Sequence, residues 1–355
     1  MPLFLENVKM ADLQDYVMLP TVKAIYDSYV TNAKDWRRDH LGASTIGKSC
    51  KRAIWYSFHW ATNPEHEGRI LRLFERGQNE EAVFVANLRA AGINVFEVDQ
   101  NTGKQFSYSE YGGHFAGSLD GVANGFHESS ATHVLEFKTS SDKAYNELIK
   151  KGVQVAKPEH YAQMQVYMAW SQLDRAYYFA VNKNTDAIHG ERIKYDEAFT
   201  SDLFKKAREI IEAQTPPAKL SEDPAYFECK FCDHFKVCHA GHLPEVNCRT
   251  CSHSTPQMTG GWTCENYKVQ IPSENQREGC QTHVYQPVYF MPRTVSEYVN
   301  NTVIYDDGTK NGQDGFSSES LKELFNNGAS EMTQDKFVKE LTQDMGATVT
   351  KAWKK

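Results

Sequence analysis

The chain has 355 residues, of which 40% are apolar and 24% charged, and its formal net charge is -7. This composition predicts a globular protein of two or three domains, and a mildly acidic chain is not typical of a general nucleic-acid binder, although a local basic groove stays compatible with it. No run of about 18 apolar residues occurs, so we expect no membrane contact. The first residues, MPLFLENVKMADLQDY, lack the basic and apolar regions of a signal peptide, which predicts a cytoplasmic protein.

The first part of the chain predicts an α/β core. Apolar residues at helical spacing predict helices at 11–39 (around Pro20), about 49–60, about 68–91, 159–173 and 201–214. Strands are predicted at about 93–99, 105–109, 114–123 and 132–138, and again in RAYYFAVNK and AIHGERIKY.

The amino-acid composition changes from about residue 240, and Cys, Gly, Thr, Ser and Pro dominate until about 287. Residues 288–355 contain a loop, YDDGTKNGQDG, and two predicted short helices. We therefore predict three parts: a core over 1–240, a Cys-rich module over 241–287 and a small α/β C-terminal extension over 288–355.

The stretch HVLEFKTSS, residues 133–141, has the apolar character of a buried strand but carries Glu136 and Lys138. Alternation along a strand sends these two side chains to the same face. Asp120 lies in HFAGSLDGV, a strand-like run that could pair with the first through the loop ANGFHESSAT and bring Asp120 beside Glu136. Two adjacent carboxylates repel each other unless a cation joins them, and Mg²⁺ or Mn²⁺ prefers such oxygen ligands. Lys138 would then stabilise phosphate charge or hold an attacking water.

Further polar groups extend this pattern. Glu81 follows Gly77 by four residues on the helix predicted at 68–91, and Gln163 and Tyr167 stand at i and i+4 on another helix. Each feature alone is typical of a solvated surface. Their order and chemical types together favour a catalytic site.

The ordered set, with Glu81 in ERGQNEEA, then GSLDG, EFK and Q-x3-Y, resembles the PD-(D/E)xK nuclease superfamily, in its RecB-like and lambda-exonuclease-like branch. The resemblance covers about residues 40–240. It implies a restriction-endonuclease-like core, in which helices flank a central mixed sheet, and a Mg²⁺- or Mn²⁺-dependent DNA exonuclease.

The resemblance also implies a role for each matching residue. Glu81, Asp120 and Glu136 would bind the metal together with the backbone carbonyl of Phe137. Lys138 would be the catalytic lysine, Gln163 would position the water or the lysine, and Tyr167 would contact a DNA phosphate. Glu80 is an alternative to Glu81, and Leu119 stands where the family often has proline.

Eight cysteines in a cytoplasmic chain predict metal ligands before disulfides. The first set is Cys229-x2-Cys232-x5-Cys238, with Cys50 far upstream as the fourth member. This spacing resembles the iron–sulfur nucleases, namely the AddB-type helicase–nucleases and the CRISPR-adaptation exonucleases, and implies a [4Fe–4S] cluster. Zinc in the same four thiolates is the alternative.

The second set consists of Cys248, Cys251, Cys264 and Cys280 in a segment poor in apolar residues. Four thiolates with a C-x2-C start predict a structural Zn²⁺ site, with His253 and His283 as alternative ligands. The segment resembles small Cys-rich modules appended to phage-encoded exonucleases.

Basic residues near these motifs are candidate DNA contacts: Lys51 and Arg52 beside Cys50, and Arg72 and Arg76 on the helix of Glu81. The resemblance thus implies a phage-encoded enzyme that processes single-stranded or duplex DNA ends for recombination, repair or replication, with a helicase or recombination protein as a further partner. Two alternatives remain at this point: a CRISPR-adaptation nuclease, and a module of the same fold that binds DNA or a recombination partner without cutting.

Overall fold

The computed structural model describes residues 18–286 in full and, beyond them, the backbone of the strands Val295–Val299, Thr302–Asp306 and Gly315–Ser317. The helices predicted within 288–355 and the first part of the helix predicted at 11–39 lie outside these residues.

All five helices predicted over the described residues are present, and four further α-helices occur there. The helices are α1 Pro20–Thr31, α2 Lys51–Phe58, α3 Gly68–Ala90, α4 Asp142–Lys151, α5 Val153–Ala156, α6 Pro158–Ser171, α7 Glu197–Glu212, α8 Phe227–Lys230 and α9 Phe235–His239. Side chains fix two of the starts: the Cys50 sulfur accepts from the Ala53 amide at α2, and Asp196 accepts from the Phe199 amide at α7. The helices α4, α5, α8 and α9 lie where the sequence predicts no helix. No helix of the described residues is both long enough and apolar enough to cross a bilayer.

The strands of the described residues form four sheets. They are β1 Leu41–Gly42, β2 Asn94–Phe96, β3 Ser107–Glu110, β4 Phe115–Ser118, β5 Gly121–Asn124, β6 His133–Ser140, β7 Arg175–Asn182, β8 Ile188–Lys194, β9 Ser254–Pro256, β10 Trp262–Cys264, β11 Val269–Ile271, β12 Val295–Val299, β13 Thr302–Asp306 and β14 Gly315–Ser317. The five-stranded central sheet has the order β2-β5-β6-β7-β8, in which β6 and β7 are parallel and the other pairs antiparallel. The smaller sheets have the orders β1-β4-β3, β9-β10-β11 and β12-β13-β14. The chain is therefore a mixed α/β protein with helices packed on a central mixed sheet, as predicted.

The strand predicted at 114–123 is two strands in two different sheets. β4 pairs with β3 and β1, whereas β5 pairs with β2 and β6. The chain changes sheet at Leu119 and Asp120, where the Leu119 amide donates to the Phe106 carbonyl at 3.0 Å. Asp120 therefore lies at the junction of the two sheets, directly before β5.

Helices cover β6 on both faces, which explains its apolar sequence. On one face Leu135 and Phe137 pack with α3, where the Phe84 ring stacks on Phe137 at 5.0 Å between centroids. On the other face Val134 joins the larger core under α6. Glu136 and Lys138 share this second face, so an acid and a base are held at the edge of a hydrophobic core.

The predicted helix at 11–39 is confirmed only over Pro20–Thr31, and it is not a core helix. None of its residues is buried, and the apolar Val22 and Ile25 are exposed. It packs closely against α3, and the absence of a side chain at Gly68 permits this approach: a Cβ there would stand 2.1 Å from the Tyr26 carbonyl oxygen. Residues 33–39 leave the helix and run toward β1.

The Cys-rich segment is docked on the core through Arg249, which is 2% exposed. Its guanidinium donates to the Phe58 carbonyl at 3.1 Å and the Asp39 carbonyl at 3.0 Å, and lies 3.7 Å from the centroid of Trp60. The segment therefore contacts both α2 and the chain that enters β1.

Candidate active site

A cavity of about 740 Å³ lies where the central sheet, α3 and α6 meet. Five of the predicted catalytic residues line it: Glu81, Asp120, Lys138, Gln163 and Tyr167. Glu136, the sixth, lies directly beneath, bonded to Lys138. Glu81 and not Glu80 is among the lining residues, which favours Glu81 as the acid of α3.

The hairpin of β5 and β6 brings the central groups together, as the sequence predicts. Gly121 pairs with Leu135, so Asp120 is the neighbour of Glu136 across the two strands. The Asp120 carboxylate accepts a hydrogen bond of 2.8 Å from the Phe137 amide. Asp120 therefore also ties the sheet junction to the strand that carries the acid and the lysine.

Glu136 and Lys138 are hydrogen-bonded to each other at the wall of the cavity. The Lys138 ammonium donates to Glu136 Oε1 and, at 3.2 Å, to the Phe137 carbonyl. The Glu136 side chain is fully buried, whereas 27% of the Lys138 side chain is exposed. Glu136 Oε2 is buried and has no hydrogen-bond partner. A buried carboxylate oxygen without a partner is costly, so this atom offers a free ligand position.

The carboxylates of the cavity hold their protons more tightly than usual. Burial raises the pKa of Glu136 to about 8, against the effect of Lys138 and with a further contribution from Asp120. Burial also raises the pKa of Asp120 and, with Asp120 adding to it, that of Glu81. Burial acts to lower the pKa of Lys138, but the attraction of Glu136 and Asp120 outweighs it and the pKa is raised. The Lys138 ammonium is thus attracted electrostatically by three acids, Glu136, Asp120 and Glu81.

This donor set fits a hard divalent cation. Carboxylate oxygens with raised pKa values and one unpartnered oxygen would all be stabilised by a cation such as Mg²⁺ or Mn²⁺. In residues 18–286, however, no three His, Cys, Asp or Glu side chains are already arranged to hold an ion. Glu136 Oε1 accepts a hydrogen bond from Lys138, and the Asp120 carboxylate accepts one from the Phe137 amide. The two carboxylates would therefore have to turn toward the ion.

Gln163 and Tyr167 lie one helical turn apart on the face of α6 that closes the cavity. Gln163 Nε2 donates to the Tyr167 hydroxyl at 3.4 Å, and both side chains are buried. Gly117 lets the ring come close, because a Cβ there would stand 2.8 Å from Tyr167 Cε1. Burial raises the pKa of Tyr167, so the phenol stays neutral and can donate a hydrogen bond.

Other polar residues of the same cavity are not predicted from the sequence, among them Arg38, Ser44 and His160. Arg38 Nη1 donates to the Ser44 hydroxyl at 3.0 Å. His160 shares a hydrogen bond of 2.9 Å with the Tyr178 hydroxyl, and burial lowers its pKa to about 3, so its ring is neutral. Of these three residues, only His160 could have been predicted from the sequence, because it precedes Gln163 by one helical turn and so lies on the same face of α6.

The four predicted DNA contacts lie elsewhere. The Lys51 ammonium pairs with Glu209 at 2.8 Å, and Arg52 donates to the Pro217 carbonyl at 2.6 Å beside the first cysteine set. Arg76 donates to the Lys183 carbonyl at 3.4 Å, and Arg72 is exposed on α3. None of the four lines the catalytic cavity, so their contact with DNA stays a prediction.

Each cysteine set lines one small cavity of its own. Cys50, Cys229, Cys232 and Cys238 meet where α8 and α9 approach the start of α2. Cys248, Cys251, Cys264 and Cys280 line the second cavity with His253 and His283. All eight are free thiols, and burial raises the pKa of Cys248 to about 12 and that of Cys251 to about 11. The predicted groupings are present, although neither is already arranged to hold a metal ion in the described residues.

Comparisons with known proteins give only distant similarities. No protein-family model and no curated protein matches the sequence. The structure is similar to the crystal structure of an alkaline exonuclease, LHK-Exo from Laribacter hongkongensis, with 18% identity and a TM-score of 0.36 over 52% of this chain and 90% of that one. For the complex of LHK-Exo with dAMP the identity is 17% and the TM-score 0.35, over 53% and 90%. For SSO0001 they are 15% and 0.36, over 61% and 93%. Similarity at this level assigns no family to the chain.

Proposed function

We propose that this chain is a Mg²⁺- or Mn²⁺-dependent nuclease that hydrolyses phosphodiester bonds from DNA ends. The observation that carries the proposal is the meeting of Asp120, Glu136 and Lys138 at one wall of a polar cavity. Nothing in the packing of this part of β6 requires a buried acid, since the adjacent buried positions Val134, Leu135 and Phe137 are apolar. The presence of the acids and the lysine together is best explained by chemistry on an anionic substrate.

Each side chain has a role that its position supports. Glu81, Asp120, Glu136 and the Phe137 carbonyl would hold the divalent ion, which would act as a Lewis acid on the phosphate. The Lys138 ammonium stands beside these ligands, where it would stabilise charge on a phosphoryl oxygen or orient the water. Gln163 would position that water or Lys138, and Tyr167 would donate to a phosphate oxygen. Arg38 adds a second cation to the lining of the cavity.

We further propose that the protein acts in the cytoplasm on DNA ends in recombination, repair or replication, is phage-encoded, and works with a helicase or recombination protein. The grouping of the eight cysteines in two sets of four, with no disulfide between them, is compatible with a reducing compartment. A nuclease is favoured over a non-cleaving DNA-binding module because the acid, second acid and lysine are all present and adjacent.

Digestion of end-labelled single-stranded and duplex DNA over a series of Mg²⁺ concentrations and pH values tests the proposal. We expect cleavage that stops on addition of EDTA. The Mg²⁺ concentration for half-maximal rate should fall roughly tenfold per pH unit up to pH about 8 and then level off, because the ion must displace the proton of Glu136. Absence of cleavage on both substrates, or cleavage that persists in EDTA, would contradict the proposal.

We also propose that Cys50, Cys229, Cys232 and Cys238 hold a [4Fe–4S] cluster and that Cys248, Cys251, Cys264 and Cys280 hold Zn²⁺. Each set of four sulfurs lining one cavity supports this, since four thiolates are the usual complement of either group. The first set would join the start of α2 to residues that follow it by about 180 positions.

Metal analysis of protein purified without oxygen checks both assignments. We expect about four iron and about one zinc per chain, with a brown colour. Cys232→Ser should lose the iron and keep the zinc, whereas Cys251→Ser should lose the zinc and keep the iron. Colourless protein with two zinc ions per chain would refute the iron assignment and leave the nuclease proposal intact.

A further inference from the structure

A second groove, of about 750 Å³, opens between α1 and α3 and adjoins the catalytic cavity. Leu71, Phe74 and Gln78 line this α1–α3 groove, and Glu81 on the same helix lines the catalytic cavity. Spacings of three and four residues place these side chains along one face of α3. Arg38 lines both spaces. The groove therefore leads along α3 into the cavity where the scissile phosphate would lie.

Aromatic rings stand exposed in this groove. Trp36 is 39% exposed and Phe74 is 37% exposed, and their rings meet edge to face with centroids 5.6 Å apart. The His66 ring supports both, at 5.5 Å from Trp36 and 5.2 Å from Phe74. Exposed rings beside a basic groove are what proteins use to stack the bases of single-stranded nucleic acid.

The charges of the groove suit a phosphate backbone. The Asp35 carboxylate is bound by Arg37 at 2.7 Å and by Arg277 at 2.6 Å, and Glu75 accepts a hydrogen bond from Tyr29. The acids are thus engaged within the protein. Lys34 and Arg38 form no ion pair with any described carboxylate, and both are exposed. Since no described carboxylate neutralises them, both cations can meet an external anion, Arg38 alongside its hydrogen bond to the Ser44 hydroxyl.

The length of the groove defines how much of a strand it holds. Phe74 and Glu81 are seven residues apart, which at about 1.5 Å per residue is roughly 10 Å along α3. Stacked nucleotides follow each other at about 3.4 Å along one strand. About three nucleotides therefore fit between the ring of Phe74 and the catalytic cavity.

We propose that the α1–α3 groove binds the single-stranded segment next to the scissile phosphate, with bases stacked on Trp36 and Phe74 and phosphates at Lys34 and Arg38. The inference rests on the proposed function for the position of the scissile phosphate. It adds that the enzyme engages unpaired nucleotides, because bases in an intact duplex present no face to these rings. A duplex end would have to fray by about three base pairs before it fills the groove.

Binding of a fluorescein-labelled ten-nucleotide oligothymidylate, followed by anisotropy in EDTA, tests the inference without any hydrolysis. Trp36→Ala and Phe74→Ala should each raise the Kd about 5- to 100-fold, the range found when a stacking ring is removed. Trp36→Phe should restore most of the affinity, which a merely unfolded variant would not do. Lys34→Glu should weaken binding and reduce its salt dependence.

Matched controls lie on the same elements or carry the same change. Val83→Ala alters an exposed apolar residue of α3 outside the groove, and Lys205→Glu reverses an exposed lysine on α7; both should keep the wild-type Kd. If Trp36→Ala and Phe74→Ala also keep it while the wild type cleaves DNA, the groove inference falls and the nuclease proposal stands. A change in oligomeric mass with unchanged Kd would instead make the groove an interface between copies. If the wild type binds through Trp36 but cleaves nothing, only the nuclease proposal falls.

Discussion

The Glu136→Gln variant is expected to lose DNA cleavage by about 10³-fold or more while the chain still folds. The amide keeps the shape of the buried side chain, but it removes the anionic oxygen that a divalent ion requires. It also leaves the Lys138 ammonium without its nearest carboxylate, so the amine no longer has a fixed position. Loss of a single electrostatic group at such a site costs about 10²–10³-fold, and loss of a metal ligand adds to that.

The rate of release of label from single-stranded and duplex DNA at saturating Mg²⁺ measures this loss. Asp120→Asn and Lys138→Ala should show losses of similar order. Glu81→Gln should also lower the cleavage rate, whereas Glu80→Gln should not. Glu197→Gln, an exposed acid at the start of α7, is the matched control and should be fully active. Wild-type rates for Glu136→Gln would remove Glu136 from the reaction and overturn the assignment of the cavity. Equal, undetectable cleavage by wild type and Lys138→Ala would favour the non-cleaving module.

Much of the central site follows from local sequence rules. Period-two alternation places Glu136 and Lys138 on one face of β6, and the spacing of the β5–β6 hairpin places Asp120 beside them. Helical spacing likewise puts Gln163 and Tyr167 on one face of α6. These relations hold within one element or between neighbouring strands, where short-range geometry decides the outcome.

Local sequence rules do not predict contacts between segments that are distant in the chain. The break between β4 and β5 depends on β1, a strand of two residues that pairs in parallel with β4 and has no periodic signal of its own. The same pairing carries Arg38 and Ser44 to the catalytic cavity. A helix over 11–39, predicted from apolar spacing, ends at Thr31 because residues 33–39 follow tertiary contacts instead.

Arg249 is the clearest case of a residue whose importance only the tertiary structure reveals. In sequence it is an ordinary arginine between Cys248 and Thr250, in a segment predicted to be a separate module. In the fold it is buried, and burial lowers its pKa, so its charge costs free energy that its partners must offset. Those partners are the carbonyls of Phe58 and Asp39, the Gln276 side chain at 3.0 Å and the ring of Trp60.

Arg249→Ala is therefore expected to lower the free energy of unfolding by about 3–5 kcal/mol, because it leaves buried acceptors unpaired and empties the space between aromatic rings. Arg249→Lys should recover little, since an ammonium cannot reproduce the planar fork of donors. Arg277→Ala is the matched control: it removes a second guanidinium from the Trp60 ring, at 4.7 Å, but one that is 30% exposed, and should cost about 1 kcal/mol or less. Urea denaturation of metal-loaded protein measures the three values.

The same variant tests whether the Cys-rich segment supports the catalytic cavity. Arg249 binds the Asp39 carbonyl, and the adjacent residue, Arg38, lines both the cavity and the α1–α3 groove. Loosening this contact should weaken DNA binding more than it slows the chemical step, so KM should rise more than kcat falls. A stable Arg249→Ala protein with wild-type KM would show that the segment is docked on the core without positioning Arg38.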